Sequence, residues 1–217
     1  MRRITKKQSN SAREFAKDVL NYLHQELKSK YTFAERIVGS AQWNTILEDK
    51  NGFWDIDYQI LLTCNSKEYK SNGLSNPTQI KNDFFNCLSN IFKNNRDFKV
   101  ENSTSAVTLI NIKEGYSFDF VIIRLFPKNN EIIRRNNKRG SSVNEYTWNK
   151  LPVFNEAYLK FNDLSPQDKQ DLIENYVLPR KIKEKSKNDN DPTKKSSCEA
   201  FIEEVNNYVA RKRNYWL

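Results

Sequence analysis

Apolar positions along this chain switch between two spacings, and the switches divide it into elements. Phe15, Val19, Leu20, Leu23 and Leu27 recur at helical intervals, which predicts a first helix running to about Lys28, opened by a capping box at Ser11 and Glu14. A short strand over Thr32–Val38 then delivers the chain to Gly39-Ser40. Gln42–Leu47 reads as a helical turn, Glu48–Gly52 as a loop, and Asp55–Cys64 as a strand that continues through the apolar run Ile60-Leu61-Leu62. Asn76-Pro77 starts a second helix, asparagine as cap and proline in the first turn, with Ile80, Phe84, Leu88, Ile91 and Phe92 on one stripe. Ala106–Lys113 and Tyr116–Leu125 read as strands joined at Glu114-Gly115 into a hairpin. Residues 127–150 look like loop.

The C-terminal part returns to helical spacing. Ser165-Pro166 opens a helix whose Leu172, Ile173, Tyr176 and Val177 face inward, and Pro179 should kink or end it. Ser196 and Glu199 form another capping box, before a helix bearing Phe201, Ile202, Val205, Tyr208 and Val209. This order predicts an α+β fold, a mixed β-sheet backed by helices. Residues 1–126 would be the main domain, 127–150 a basic loop region and 151–217 a helical C-terminal lobe packed on the domain.

Composition narrows the partners more than the fold. The 217 residues are 37% apolar and 12% aromatic, enough for a buried core. A net charge of +9 and a pI near 9.3 favour an anionic partner. Nucleoside triphosphate, RNA, DNA and acidic membrane all qualify on charge, and a basic surface from Lys- and Asn-rich composition is the plainer reading. Lys128, Arg134, Arg135, Lys138 and Arg139 face only Glu131 and Glu145 in the loop region, as a positive rim or a solvated segment. Tyr146, Trp148 and Lys150, and the stretch 211–216, interleave aromatic and basic residues that could stack bases. Packing is the simpler account.

Cys64, Cys87 and Cys198 lie far apart without CxxC spacing, which argues for reduced thiols and against zinc. No run approaches the roughly 18 apolar residues of a membrane span, and no secretory leader is visible, so the expectation is a cytoplasmic protein without a membrane partner. His24 is the single histidine and reads as a surface residue of the first helix, which leaves histidine triads without parts. No GxxxxGK[ST] loop occurs.

The remaining chemistry is acidic. A glycine-serine turn before a helix can cradle a phosphate. Asp55 and Asp57 stand at i and i+2 on a strand and therefore point the same way, while Ile56 points inward. Two anions on one face repel unless a cation sits between them, and magnesium takes a few carboxylate oxygens together with phosphate and water. Asp119 is a lone acid in an apolar strand and would join that face if the strands are neighbours. Each piece has a plain alternative: a solvated strand edge for Asp55 and Asp57, an ordinary turn for Gly39-Ser40, an ion pair with Arg124 for Asp119.

In order, Val38-Gly39-Ser40, Asn44-Thr45, Trp54-Asp55-Ile56-Asp57-Tyr58 and Phe118-Asp119-Phe120 resemble the signature of the DNA polymerase beta-like nucleotidyltransferases, over roughly residues 10–125. Leu178–Lys183, followed by Lys195-Ser196-Ser197 ahead of a helix, is similar to the helical lobe of cyclic-oligonucleotide synthases and their oligoadenylate-synthase relatives. The lobe is shorter here, and Pro179 interrupts it. The resemblance implies a nucleotidyltransferase palm that moves a nucleotidyl group from an NTP to a hydroxyl and releases pyrophosphate. Asp55, Asp57 and Asp119 would be catalytic and would hold Mg2+, with Mn2+ as a substitute. Gly39, Ser40, Thr45, Lys181, Ser196 and Ser197 would contact the nucleotide. The acceptor would be a second nucleotide, as in a small synthase with a defence or signalling role, or RNA. Modification of tRNA, a protein or an antibiotic is the alternative, as is a non-catalytic nucleotide or RNA binder on the same fold.

Overall fold

Ten residues from Trp54 to Thr63 build the strand around which the sheet is organised. Their exposure alternates strictly: Trp54, Ile56, Tyr58, Ile60 and Leu62 are buried, while Asp55, Asp57, Gln59 and Leu61 are only partly so. The computed structural model describes residues 1–63, 74–125, 130–137, 145–151, 155–188 and 190–214. These divide into two compact units, Arg3–Leu151 and Pro152–Leu217 with Met1–Arg2.

The first unit runs α1 (Lys6–Leu27), β1 (Thr32–Val38), α2 (Gly39–Gln42), β2 (Trp54–Thr63), α3 (Pro77–Phe92), β3 (Phe98–Asn102), β4 (Ala106–Asn111), β5 (Tyr116–Arg124), β6 (Glu131–Arg135) and β7 (Tyr146–Lys150). The sheet order is β1-β2-β5-β4-β3, with β6 paired to the end of β5 and to β7. Among the described strands only β2 and β5 pair in parallel, so the sheet is mixed as expected. Phe118, Phe120 and Ile122 of β5 extend the buried face of β2. Helix α1 contributes Val19, Leu20 and Leu23 to the same core, and α3 contributes Ile80, Phe84 and Leu88. Each such fully buried side chain contributes about 1.5–3 kcal/mol relative to exposure. The opposite face of β2 is left for polar groups.

Several boundaries differ from the sequence reading. Helix α1 is capped by Thr5 and Gln8 rather than by Ser11 and Glu14. The added turn is held by small residues a hydrophobic pattern overlooks: Ser9 is fully buried and its hydroxyl donates to Lys6 O at 3.1 Å. The helical turn falls at Gly39–Gln42 instead of Gln42–Leu47, because Asn44 adopts φ 57° and reverses the chain. Strand β3 was not expected, since Phe98 and Val100 alone give it an inner face. Two strands, β6 and β7, stand in the segment read as a basic loop. Ile133 and Tyr146 anchor them in the core, and the charged residues between hid the alternation. Cys64 and the basic residues Lys128, Lys138 and Arg139 lie outside the described residues.

The second unit contains α4 (Asn155–Asn162), α5 (Pro166–Leu172), a π-helical turn (Ile173–Val177), α6 (Leu178–Ser186) and α7 (Ser197–Asn214). Pro179 neither ends nor breaks the helix begun at Ser165. Proline offers no N–H to the preceding turn, and the chain widens there instead, the Leu178 N–H donating five residues back to Ile173 O. The capping box at Ser196 and Glu199 forms as expected, with N–H and hydroxyl of Ser196 donating to Glu199 Oε2 at 2.8 and 2.7 Å. Phe201 packs on Phe161 with ring centroids 5.3 Å apart. Glu184 is buried among Arg180 (3.1 Å), Lys187 (2.7 Å) and the Lys195 N–H (2.9 Å), which hold its carboxyl below the usual range, Lys187 foremost. No described helix is long and apolar enough to cross a membrane.

Candidate active site

Strand β1 ends at Val38, opposite Asp57 in the antiparallel ladder, and Gly39 turns sharply away from it with φ +62°. A Cβ placed on Gly39 would lie 2.8 Å from Asp57 Oδ2, so the carboxylate would have to turn away from it; the left-handed φ is what favours glycine here. Ser40 follows in the single helical turn α2. Its carbonyl accepts the Thr45 N–H at 2.8 Å and the Thr45 hydroxyl at 3.4 Å. Thr45 itself is 2% exposed, so it braces the turn from within.

The parallel register of β2 and β5 sets Asp57 beside Asp119 and Asp55 beside Ser117. Register partners in a sheet share a face, so Asp55, Asp57 and Asp119 project from the same side, next to the Gly39-Ser40 turn. On the far side of Asp119 stands Thr108 of β4, whose hydroxyl donates to Asp119 Oδ1 at 2.6 Å. Burial pushes the Asp119 carboxyl above its usual range and the negative charge of Asp55 adds to that; the Thr108 hydrogen bond and the more distant Lys81 ammonium pull it back. Asp119 is not paired with Arg124, which binds Glu131 at 2.5 Å and lies 4.4 Å over the Trp148 ring.

These residues fit a hard divalent cation by donor chemistry: carboxylate oxygens on one face, with a glycine that lets backbone approach. As they stand, no three Asp, Glu, His or Cys side chains among the described residues are gathered closely enough to hold a metal, and Asp119 accepts the Thr108 hydroxyl. Magnesium requires only one or two carboxylates when phosphate and water complete its shell.

Lys181, Ser196 and Ser197 belong to the second unit. Lys181 is 3% exposed, the Ser196 hydroxyl caps α7, and Ser197 is that helix's first residue. His24 binds Glu35 at 2.9 Å and stacks on Phe33 at 3.9 Å, on the surface as expected. Tyr146 is buried, and the Trp148 indole donates to Leu74 O at 2.9 Å, so both pack rather than present a stacking face. Arg211 lies 4.3 Å over Tyr176, while residues 215–217 lie outside the described residues. Thr108 escaped the sequence reading: a two-residue turn at Glu114-Gly115 would pair Asp119 with Ile110, and the longer connection over 112–115 shifts the register by two, to Thr108.

The mixed sheet thus brings an Asp-x-Asp strand and a third aspartate onto one face, beside a Gly-Ser turn. No protein-family model matches the chain, and no curated protein sequence does. Solved structures do match in fold. Escherichia coli DncV in a 3′-deoxy GTP bound form superposes with a TM-score of 0.62 at 13% identity, over 83% of this chain and 47% of that one. Vibrio cholerae DncV cyclic AMP-GMP synthase, bound to the linear intermediate 5′ pppA(3′,5′)pG, gives 0.60 at 14% identity, over 82% and 47%. The Bradyrhizobium diazoefficiens CD-NTase CdnG in complex with GTP gives 0.52 at 15% identity, over 73% and 43%. The chain spans less than half the length of these structures, and the likeness is one of fold.

Proposed function

We propose that this chain is an NTP-dependent nucleotidyltransferase that moves an NMP to a hydroxyl acceptor and releases pyrophosphate, acting as a small cyclic- or oligonucleotide synthase-like enzyme. The observation that carries the reading is the register of Asp57 with Asp119, with Asp55 on the same face and Gly39 against Asp57. Fold-level likeness to nucleotide-bound CD-NTases supports the same class.

Magnesium, when bound, would neutralise triphosphate charge and lower the pKa of the acceptor hydroxyl. Asp55 and Asp57 would hold it. Asp119, its carboxyl kept more basic by burial, would turn from Thr108 toward the site and accept the hydroxyl proton. Ser40 would hydrogen-bond the β- and γ-phosphate oxygens, and Gly39 would let the triphosphate approach the backbone. Catalysis on this account is positioning and charge neutralisation. The acceptor would be a second nucleotide or RNA.

The test is incubation with each labelled NTP and magnesium or manganese, with and without bulk tRNA. Pyrophosphate release that disappears in the Asp55→Ala/Asp57→Ala protein supports the enzyme. A non-catalytic nucleotide binder is the second reading, favoured by carboxylates that are not gathered into a three-ligand cluster as they stand. Tight NTP binding without turnover under every metal and acceptor would establish it.

A further inference from the structure

The Gly39–Thr45 turn is held from within only at Ser40 O, which accepts from Thr45. Helix α2 is four residues long, too short to be stable alone, and the ladder secures only its Val38 end. What fixes the rest is a set of donors aimed at its carbonyls. Arg3 reaches Asn44 O at 3.0 Å through Nε, and the Ile4 N–H reaches Ile46 O at 3.0 Å. From α1, Arg13 Nη2 donates to Ala41 O at 2.6 Å, the shortest of these bonds, across 28 residues of sequence. The base of Arg13 is rigid, since Ala12 and Ala16 on either side of it are buried in the core. Its Nε is buried with no hydrogen-bond partner among the described residues.

We propose that Arg13 is a positioning residue: by holding the Ala41 carbonyl it sets the Ser40 hydroxyl and the Gly39 backbone against Asp57, and thereby governs how tightly the site grips a nucleoside triphosphate. This rests on the reading of Gly39-Ser40 as the phosphate-binding turn. The bond ends on Ala41, the residue after Ser40. Loss of the guanidinium releases the middle of the turn while leaving β1, β2 and the three aspartates in register. The effect should therefore fall on substrate affinity more than on turnover.

The experiment compares wild type with Arg13→Met and Arg13→Lys, measuring KM and kcat for pyrophosphate release at saturating magnesium, NTP binding by calorimetry, and melting temperature. Arg13→Met keeps the alkyl stem; the expected result is KM and the NTP dissociation constant raised at least tenfold with kcat within threefold. Arg13→Lys keeps the charge but offers a shorter, single-point donor, and should fall between. Should Arg13→Met fail to fold, Arg13→Lys carries the test, with a rise of threefold or more expected. KM and NTP affinity within twofold of wild type in a folded variant would overturn the proposal. Wild-type protein that neither binds nor turns over any NTP would overturn the functional reading itself, a result separable from a normal wild type with unaffected variants.

Discussion

Lys81 is the most exposed to test of the groups that do not touch the candidate site, because its burial has a measurable pH signature. It sits in α3 at 1% exposure, donating from Nζ to Ser103 O at 2.6 Å and lying 4.3 Å over the Tyr146 ring. Burial, reinforced by the positive charge of Arg135, drops its pKa from the usual 10.5 to about 7, against a smaller opposing pull from Asp119. Between those values the unfolded chain carries a proton that the folded protein has released, so stability rises with pH; below pH 7 both states are charged and the full cost of a buried ammonium remains. At about 1.4 kcal/mol per pH unit, wild type should gain about 2 kcal/mol between pH 6.5 and 8.5 from this group. Lys81→Met removes that gain. It also leaves Ser103 O without its donor, which costs about 1–3 kcal/mol, so the variant should be the more stable protein at pH 6.5 and about equal to wild type at pH 8.5. Urea unfolding followed by tryptophan fluorescence suits the measurement, since Trp43, Trp54 and Trp148 all lie in the unit that contains Lys81. Cys87, whose thiol burial pushes up to about 11, has the same effect in both proteins and cancels in the comparison. Parallel stability–pH lines for wild type and Lys81→Met would refute the reasoning.

Two further outcomes follow from the site. Gly39→Ala keeps a left-handed conformation that costs a side chain about 1–2 kcal/mol and sets its Cβ 2.8 Å from Asp57 Oδ2, so either the turn shifts or the Asp57 carboxylate turns out of its place. A displacement near 1 Å in such a site costs about 100-fold in rate, which steady-state pyrophosphate release would read; activity within threefold of wild type would contradict it. Asp119→Asn keeps an acceptor for Thr108 but removes a carboxylate that burial and Asp55 both disfavour in its charged form. At pH 7 with metal chelated, that variant should melt at a higher temperature than wild type while losing activity, and an unchanged or lower melting temperature by scanning fluorimetry would count against the electrostatic account.

What could be read from the residues alone was whatever strict periodicity encodes. Strand β2 was legible because every second residue from Trp54 to Leu62 is apolar, and the parity of Asp119 within β5 fits the acidic face on condition that the two strands are neighbours, which their parallel pairing meets. The hairpin was legible from Gly115, which takes φ +72° at its turn. Elements held by few apolar residues were not. β3, β6 and β7 each rest on one or two inward side chains, too few to show a period of two. The beginning of α1 was obscured for a related reason, since a buried serine and alanine occupy its inner face there. Pro179 was misjudged because a rule about α-helical hydrogen bonds does not anticipate a wider turn. Tertiary braces such as Arg13 to Ala41 O leave no local trace at all, because each joins residues dozens of positions apart.

The central claim is that Asp55, Asp57 and Asp119 act together on a nucleoside triphosphate. Its most direct test is pyrophosphate release from labelled NTPs with magnesium, measured for wild type and for Asp57→Asn at matched melting temperature. Turnover by wild type and a loss of at least about 100-fold in the variant are expected when a residue holding the metal is removed. Turnover that survives the substitution at Asp57 undiminished would contradict the account.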